Sequence, residues 1–189
     1  MQSSKLRSII LASIFAAITA ILAQVQFQAF MIPFSGQTLA VGLAATILGS
    51  RLGTLSMICY MLLGLIGAPV FAGFSSGLQA IIGPSGGYII GFIATAFVTG
   101  LILEKTAFTF KMAVVANIVG MIVTLVFGTI QLKYVAELPW SLAIANGVTP
   151  FIIVGIIKAL LASWLGIVVR HRLVKARLLH TETPKASAA

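Results

Sequence analysis

Aspartate is absent from this sequence, and glutamate occurs only as Glu104, Glu137 and Glu182. Histidine is confined to His171 and His180, both in the basic C-terminal stretch, and Cys59 is the single cysteine. Each scarcity removes a class of chemistry. A general acid/base pair, a Ser-His-Asp triad and a histidine metal site all need residues that this chain does not place together. None of the three acids lies within an apolar run, so a proton relay through intramembrane carboxylates cannot be built either. Cys59, in the middle of an apolar run, reads as packing. The residues argue against an enzyme.

Charge of any sign is scarce as well: 8% of 189 residues are charged and 60% are hydrophobic. Soluble domains carry about a quarter charged residues, so the chain is an all-α integral membrane protein. Residues 8–50 lie between Arg7 and Arg51, and residues 52–103 between Arg51 and Glu104. Both runs exceed the roughly 20 residues that cross a bilayer as helix, so each must double back. The reversals fall at Pro33 with Ser35-Gly36 and in the Gly67–Gly87 region. With further spans at Met112–Leu132 and Pro150–Val169, the prediction is six transmembrane helices in a single domain, residues 1–178, followed by a disordered polar tail, 179–189. The apolar stretch from Ile9 past Ala23 is too long for a signal-peptide core.

Six spans put both termini on one side. Lys5, Arg7, Arg51, Lys105, Lys111, Arg170, Arg172, Lys175, Arg177 and Lys185 then share that side, with Lys133 opposite. Positive residues stay inside, so both termini are expected in the cytoplasm of a multi-pass cell-membrane protein. The net charge of +9 is a topology signal and does not call for a nucleic-acid partner.

What is present centres on Lys158. Thr149-Pro150 reads as a helix start, which puts Lys158 about 12 Å along the last span. A charge there costs at least about 2.5–3.5 kcal/mol near the bilayer centre unless solvated or paired. No span offers it a carboxylate, and Glu137 reaches it only if its loop folds inward. The lysine either snorkels outward or bonds to carbonyls, or its anion arrives with a ligand. Phe151, Val154, Gly155 and Ala162 share its helical face, and Gly155 leaves space one turn outward.

The stretch "GAPVFAGFSSGLQAIIGPSGGY", residues 67–88, interleaves glycines with Val70, Phe71, Phe74, Leu78, Ile81 and Ile82. That composition predicts a loop folded over a pocket, with Gln79 as a polar contact. "GPSGGY" lacks the Lys-Ser/Thr ending of a phosphate-binding loop. It precedes a helix whose first N–H groups are unpaired, and Gly86 and Gly87 would let a ligand approach that backbone. A plain surface turn is the alternative. Asn117 and Asn146 are hydrogen-bond formers that either line the same pocket or pack helices. Tyr134 and Trp140 suit an outer aromatic belt. Ala12, Ala16 and Ala20 lie four apart on the first helix, a spacing that permits close helix packing in lipid, within the chain or against a partner.

Two signatures, "YMLLGLIGAPVFAG" at 60–73 and "GPSGGYIIGF" at 83–92, resemble the BioY family of biotin-specific substrate-binding subunits of energy-coupling factor transporters. The likeness spans nearly all of residues 8–170. "IPFSGQTLAV" at 32–41 is similar to that family's first-loop motif through Gln37-Thr38, while Ser35-Gly36 depart from it, as Ser85 does in the second signature. "PFIIVGIIKA" at 150–159 matches at Lys158 and has Gly155 where the family usually carries aspartate. The departure leaves glutamine or asparagine side chains, or backbone carbonyls, to accept the ureido N–H groups.

The resemblance implies biotin as transported ligand, with no cofactor. It also implies a transmembrane coupling subunit and two cytoplasmic ATPases as partners, with the alanine series of the first helix as the docking motif. For such a ligand, the two places favourable to an oxygen acceptor assign the biotin carboxylate to Lys158 and the ureido oxygen to the Gly86–Tyr88 region, or the reverse. Phe71 and Tyr88 would pack on the rings, and Gly73 belongs to the signature. Two rivals remain: a self-sufficient facilitator or channel for a small anionic metabolite, and a membrane scaffold whose loop binds a protein.

Overall fold

The computed structural model describes residues 2–27 and 31–179; the tail beyond 179, with Lys185, lies outside the described residues. The elements in order are α1 (Gln2–Gln24), β1 (Gln26–Phe27), β2 (Phe34–Ser35), α2 (Gln37–Leu65), α3 (Leu78–Ile82), α4 (Gly86–Lys105), α5 (Phe110–Val135), α6 (Trp140–Gly147) and α7 (Thr149–Lys175). A 3₁₀ turn occupies Ala72–Phe74. Five helical stretches are long and apolar enough to cross a membrane: α1, α2, α4, α5, and Trp140–Lys175, which takes in α6 and α7.

One of those helices is not straight. At Gly49 the backbone leaves the helical region, with φ 82° and ψ −172°. Tyr60 Oη accepts a hydrogen bond from Gln37 Nε2 at 2.6 Å, although 23 residues of straight helix would separate them by roughly 34 Å. The chain therefore turns back on itself, with arms 37–48 and 50–65 lying antiparallel. Glu104, at the end of α4, holds the elbow: its two carboxylate oxygens accept from the Ser50 amide and hydroxyl, both at 2.6 Å. The carboxylate thereby satisfies an orphan donor at the start of the second arm.

Outward surfaces are apolar. Ile21, Ile153 and Trp164 are all more than half exposed, as expected where acyl chains replace water. Inside, small residues bring the helices together. Gly86 and Gly87 are buried at the start of α4; a side chain on Gly86 would strike the Ile81 carbonyl, and one on Gly87 the Phe127 carbonyl of α5. At the far ends of the chain, Arg7 Nη1 donates to the Arg177 carbonyl at 2.9 Å, so the start of α1 and the end of α7 are neighbours.

The alanine series of α1 faces inward. Ala12 and Ala16 are each 1% exposed and Ala20 is half-buried, so the stripe serves contact within the chain. The expectation that it forms a partner-docking face is corrected on that ground. One position on, Ser13 and Ala17 are exposed. Ala16→Trp is accordingly expected to overpack the core, at a cost of typically 1–3 kcal/mol or more. Loss of monodisperse protein on size-exclusion chromatography checks this. A normally folded variant that selectively loses a partner would restore the docking role.

Candidate functional site

Three segments and four helices enclose a cavity of about 120 Å³ at the end of the molecule where α2 begins. The segments are the stretch before α2 (Ile32, Pro33, Ser35), the irregular chain between α2 and α3 (Phe71, Ala72, Ser75), and Ser85 before α4. The first arm of α2, with α4, α5 and α7, forms the walls. The closing segments are irregular backbone beside apolar spans, tolerated where they line a cavity and their polar groups find partners. Gln24 supplies part of that: its Nε2 donates to the Phe71 carbonyl at 3.1 Å, and its Oε1 accepts from the Phe74 amide at 2.9 Å. Gln131, from α5, donates to the carbonyls of Ile81 and Gly83 at 2.6 and 2.8 Å. Neither glutamine stands out in the sequence, because nothing local marks a side chain that reaches across 47–50 residues.

Lys158 lines the cavity from α7. Its ammonium donates to the Ser35 carbonyl at 2.6 Å and to Thr38 Oγ1 at 3.2 Å. It forms no ion pair among the described residues, and Glu137 is exposed on the loop after α5, at φ 52°. The lysine has three donors, so two neutral acceptors leave one N–H and the whole charge unmatched. Gln37, 6% exposed, sits beside it. It accepts from Ser35 Oγ and donates to Tyr60, whose hydroxyl donates to the Val70 carbonyl at 3.0 Å. This chain of bonds fastens the Ser35 segment and the Phe71 segment to the two arms of α2.

Aromatic and polar residues complete the walls. Phe71 is 1% exposed and meets Tyr60 edge-on at 5.4 Å. Tyr88 donates to the Gly147 carbonyl at 2.8 Å and lies 6.1 Å from Phe151, which tilts against Phe34 at 4.6 Å. Deeper in, Asn117 Nδ2 donates to Thr46 Oγ1 and to the Ala113 carbonyl, both at 2.9 Å, and to Ser163 Oγ at 3.2 Å. Its carbonyl oxygen accepts no hydrogen bond among the described residues and lies against Gly42, itself a wall residue.

Of the residues expected from sequence, Lys158, Gln37, Phe71, Tyr88, Asn117 and Gly155 meet at this cavity. Gly155 does not leave open space, because a side chain there would run into Met121 Sδ. Gln79 is exposed on α3, and Asn146 spends its amide on the Leu142 carbonyl at 2.9 Å; neither lines the cavity. Gly73, at φ 70°, shapes the turn between Phe71 and Ser75 from an exposed position. Gly86 and Gly87 lie behind the wall, where their role is close packing. The Gly86 and Tyr88 amides donate to the carbonyls of Gly83 and Ser85, both at 3.1 Å. The start of α4 therefore presents the side chains of Ser85 and Tyr88 to the cavity.

The family profile described as "BioY family" matches residues 1–175. The chain is 40% identical over 167 residues to "Biotin transporter BioY2" of Lactococcus lactis subsp. cremoris, covering 88% of this chain and 92% of that one. It is 37% identical over 159 residues to "Biotin transporter BioY" of Thermotoga maritima, covering 84% and 92%. Among solved structures it superposes with a TM-score of 0.81, at 25% identity, on the "S-component for biotin from an ECF-type ABC transporter", covering 90% of this chain and 94% of that one. The profile match over residues 1–175 and 40% identity across most of both chains lead to one assignment: the chain belongs to the BioY family.

Proposed function

We propose that this chain captures biotin in the cavity around Lys158 and serves as the substrate-binding subunit of an energy-coupling factor transporter. One observation carries the reading: a charged ammonium inside a cavity, held by the Ser35 carbonyl and the Thr38 hydroxyl and lacking a carboxylate partner among the described residues. The biotin carboxylate supplies that partner. Phe71, Tyr88 and Phe151 give its bicyclic rings apolar surface, and the unoccupied carbonyl oxygen of Asn117 accepts a ureido N–H. Asn117 thus stands in for the aspartate that Gly155 replaces.

In this reading the two arms of α2 count separately, which gives six crossings and puts both termini on one side. The bond between Arg7 and Arg177 supports that count, and the excess of basic residues at that end makes it cytoplasmic. The chain has no nucleotide-binding motif of its own, so a coupling subunit and two cytoplasmic ATPases would energise release. Exposed positions on α1 such as Ser13 and Ala17 are open to such a partner.

Titration of the purified protein with biotin, desthiobiotin and biotin methyl ester tests the reading. The ester is expected to bind about 10–150-fold more weakly than the acid, because it forfeits a charge-assisted hydrogen bond worth about 1.5–3 kcal/mol. An ester that binds as tightly as the acid would place the ureido oxygen on Lys158 instead. Absence of saturable biotin binding would end the proposal. Asn117→Leu is expected to weaken biotin by roughly tenfold, the scale of one hydrogen bond, and an unchanged Kd would remove Asn117 from the contact set.

A further inference from the structure

At the end of the molecule opposite the cavity, a second hollow of about 300 Å³ opens between α1, the elbow of α2, and the last turns of α4 and α7. The first arm of α2, about 18 Å long, separates the two. Arg7, Arg51 and Arg170 line this hollow together with Glu104. Three arginines share this lining with one glutamate, whose carboxylate is already engaged by the Ser50 amide and hydroxyl. Arg170 is fixed in place, 8% exposed, bonded to the Ile47 carbonyl and stacked on Phe108 at 3.4 Å. Arg7 is tied to the Arg177 carbonyl. Arg51, exposed at the elbow, has no acceptor among the described residues.

The remaining wall is apolar, with Leu11, Leu52 and Leu179 among its residues. A planar guanidinium cluster matches phosphate geometry, and basic pockets between spans receive anionic head groups. Leucines beside the charges suit the acyl chain attached to such a group and give a free anion nothing further. We propose that this hollow binds the phosphate of an anionic phospholipid, seated among Arg7, Arg51 and Arg170, with its chain along the leucines. The proposal uses only the chain's membrane setting and is independent of the biotin assignment.

Native mass spectrometry of the detergent-purified chain tests it, with phosphatidylglycerol, phosphatidylcholine or inorganic phosphate as separate probes. Phosphatidylglycerol is expected to be retained at one copy per chain, at least tenfold above phosphatidylcholine. Arg51→Gln should cut that retention tenfold or more and leave biotin affinity unchanged. Arg7→Gln supplies the same loss from an independent helix should the first variant fold poorly. Lys111→Gln, at the same end of the molecule but outside the hollow, should change nothing. Equal retention of the two lipids would overturn the site, as would a Lys111→Gln loss matching that of Arg51→Gln, since diffuse charge then explains the binding. Displacement of the lipid by inorganic phosphate at equal concentration would overturn the choice of lipid as occupant.

Discussion

Lys158→Met is expected to weaken biotin binding roughly 30-fold to several thousandfold while leaving the unliganded protein about as heat-stable as before. The first number follows from truncating one member of a desolvated, hydrogen-bonded charge pair, which costs about 2–5 kcal/mol. Much of that cost is borne by the ligand: its carboxylate would enter a cavity that offers it no cation. The second expectation follows from the unliganded site. There the ammonium holds two neutral acceptors, the Ser35 carbonyl and Thr38 hydroxyl, and its desolvation offsets what those bonds return. Methionine keeps the length of the stem and removes the ammonium, its charge and its N–H donors together. Calorimetric titration and a thermal melt separate the outcomes. A large fall in Tm with unchanged affinity would make Lys158 a structural clasp and favour a scaffold over a binding subunit.

Gly49→Ala is the largest expected effect on the fold. The φ 82°, ψ −172° geometry belongs to a region essentially reserved for glycine, and another residue held there costs about 1–3 kcal/mol. A methyl group would also run into Glu104 Oε1, displacing the carboxylate that caps the second arm through Ser50. Together these predict a Tm lower by roughly 2–12 °C, at about 2–4 °C per kcal/mol for a chain of this length. Glu104→Gln, which keeps the size and one acceptor, should lose less. An unchanged melt for Gly49→Ala would mean that the elbow is not a fixed feature of the fold. Biotin affinity of whatever protein remains folded should be preserved, because the elbow lies at the opposite end from the cavity.

The proposed role of Lys158 was legible because its signal is local: a charge within an apolar run costs free energy wherever the chain places it. Phe71 was legible for a related reason, as a large side chain in a loop too apolar to be merely solvated, whereas Tyr88 entered through the family resemblance. Gly86 and Gly87 were found for the wrong purpose. Glycine announces close approach, but sequence does not say to what, and here the neighbours are Ile81 and α5. The alanine stripe of α1 shows the same ambiguity, since a small-residue face packs against the chain itself or a partner with equal ease. Gln79 and Asn146 failed differently. Gln79 is exposed on α3, and Asn146 donates to the Leu142 carbonyl, both away from the cavity.

Composition by itself determined that this is a helical membrane protein, because the balance of apolar and charged groups fixes where a chain can reside. Only the tertiary structure decided what surrounds Lys158, that Asn117 keeps a carbonyl oxygen unspent, and that three arginines meet at the far end. Those facts depend on contacts between residues distant in the chain, as with Lys158 and Ser35, 123 positions apart. Helical periodicity sets which face a residue occupies, and packing alone sets what that face meets.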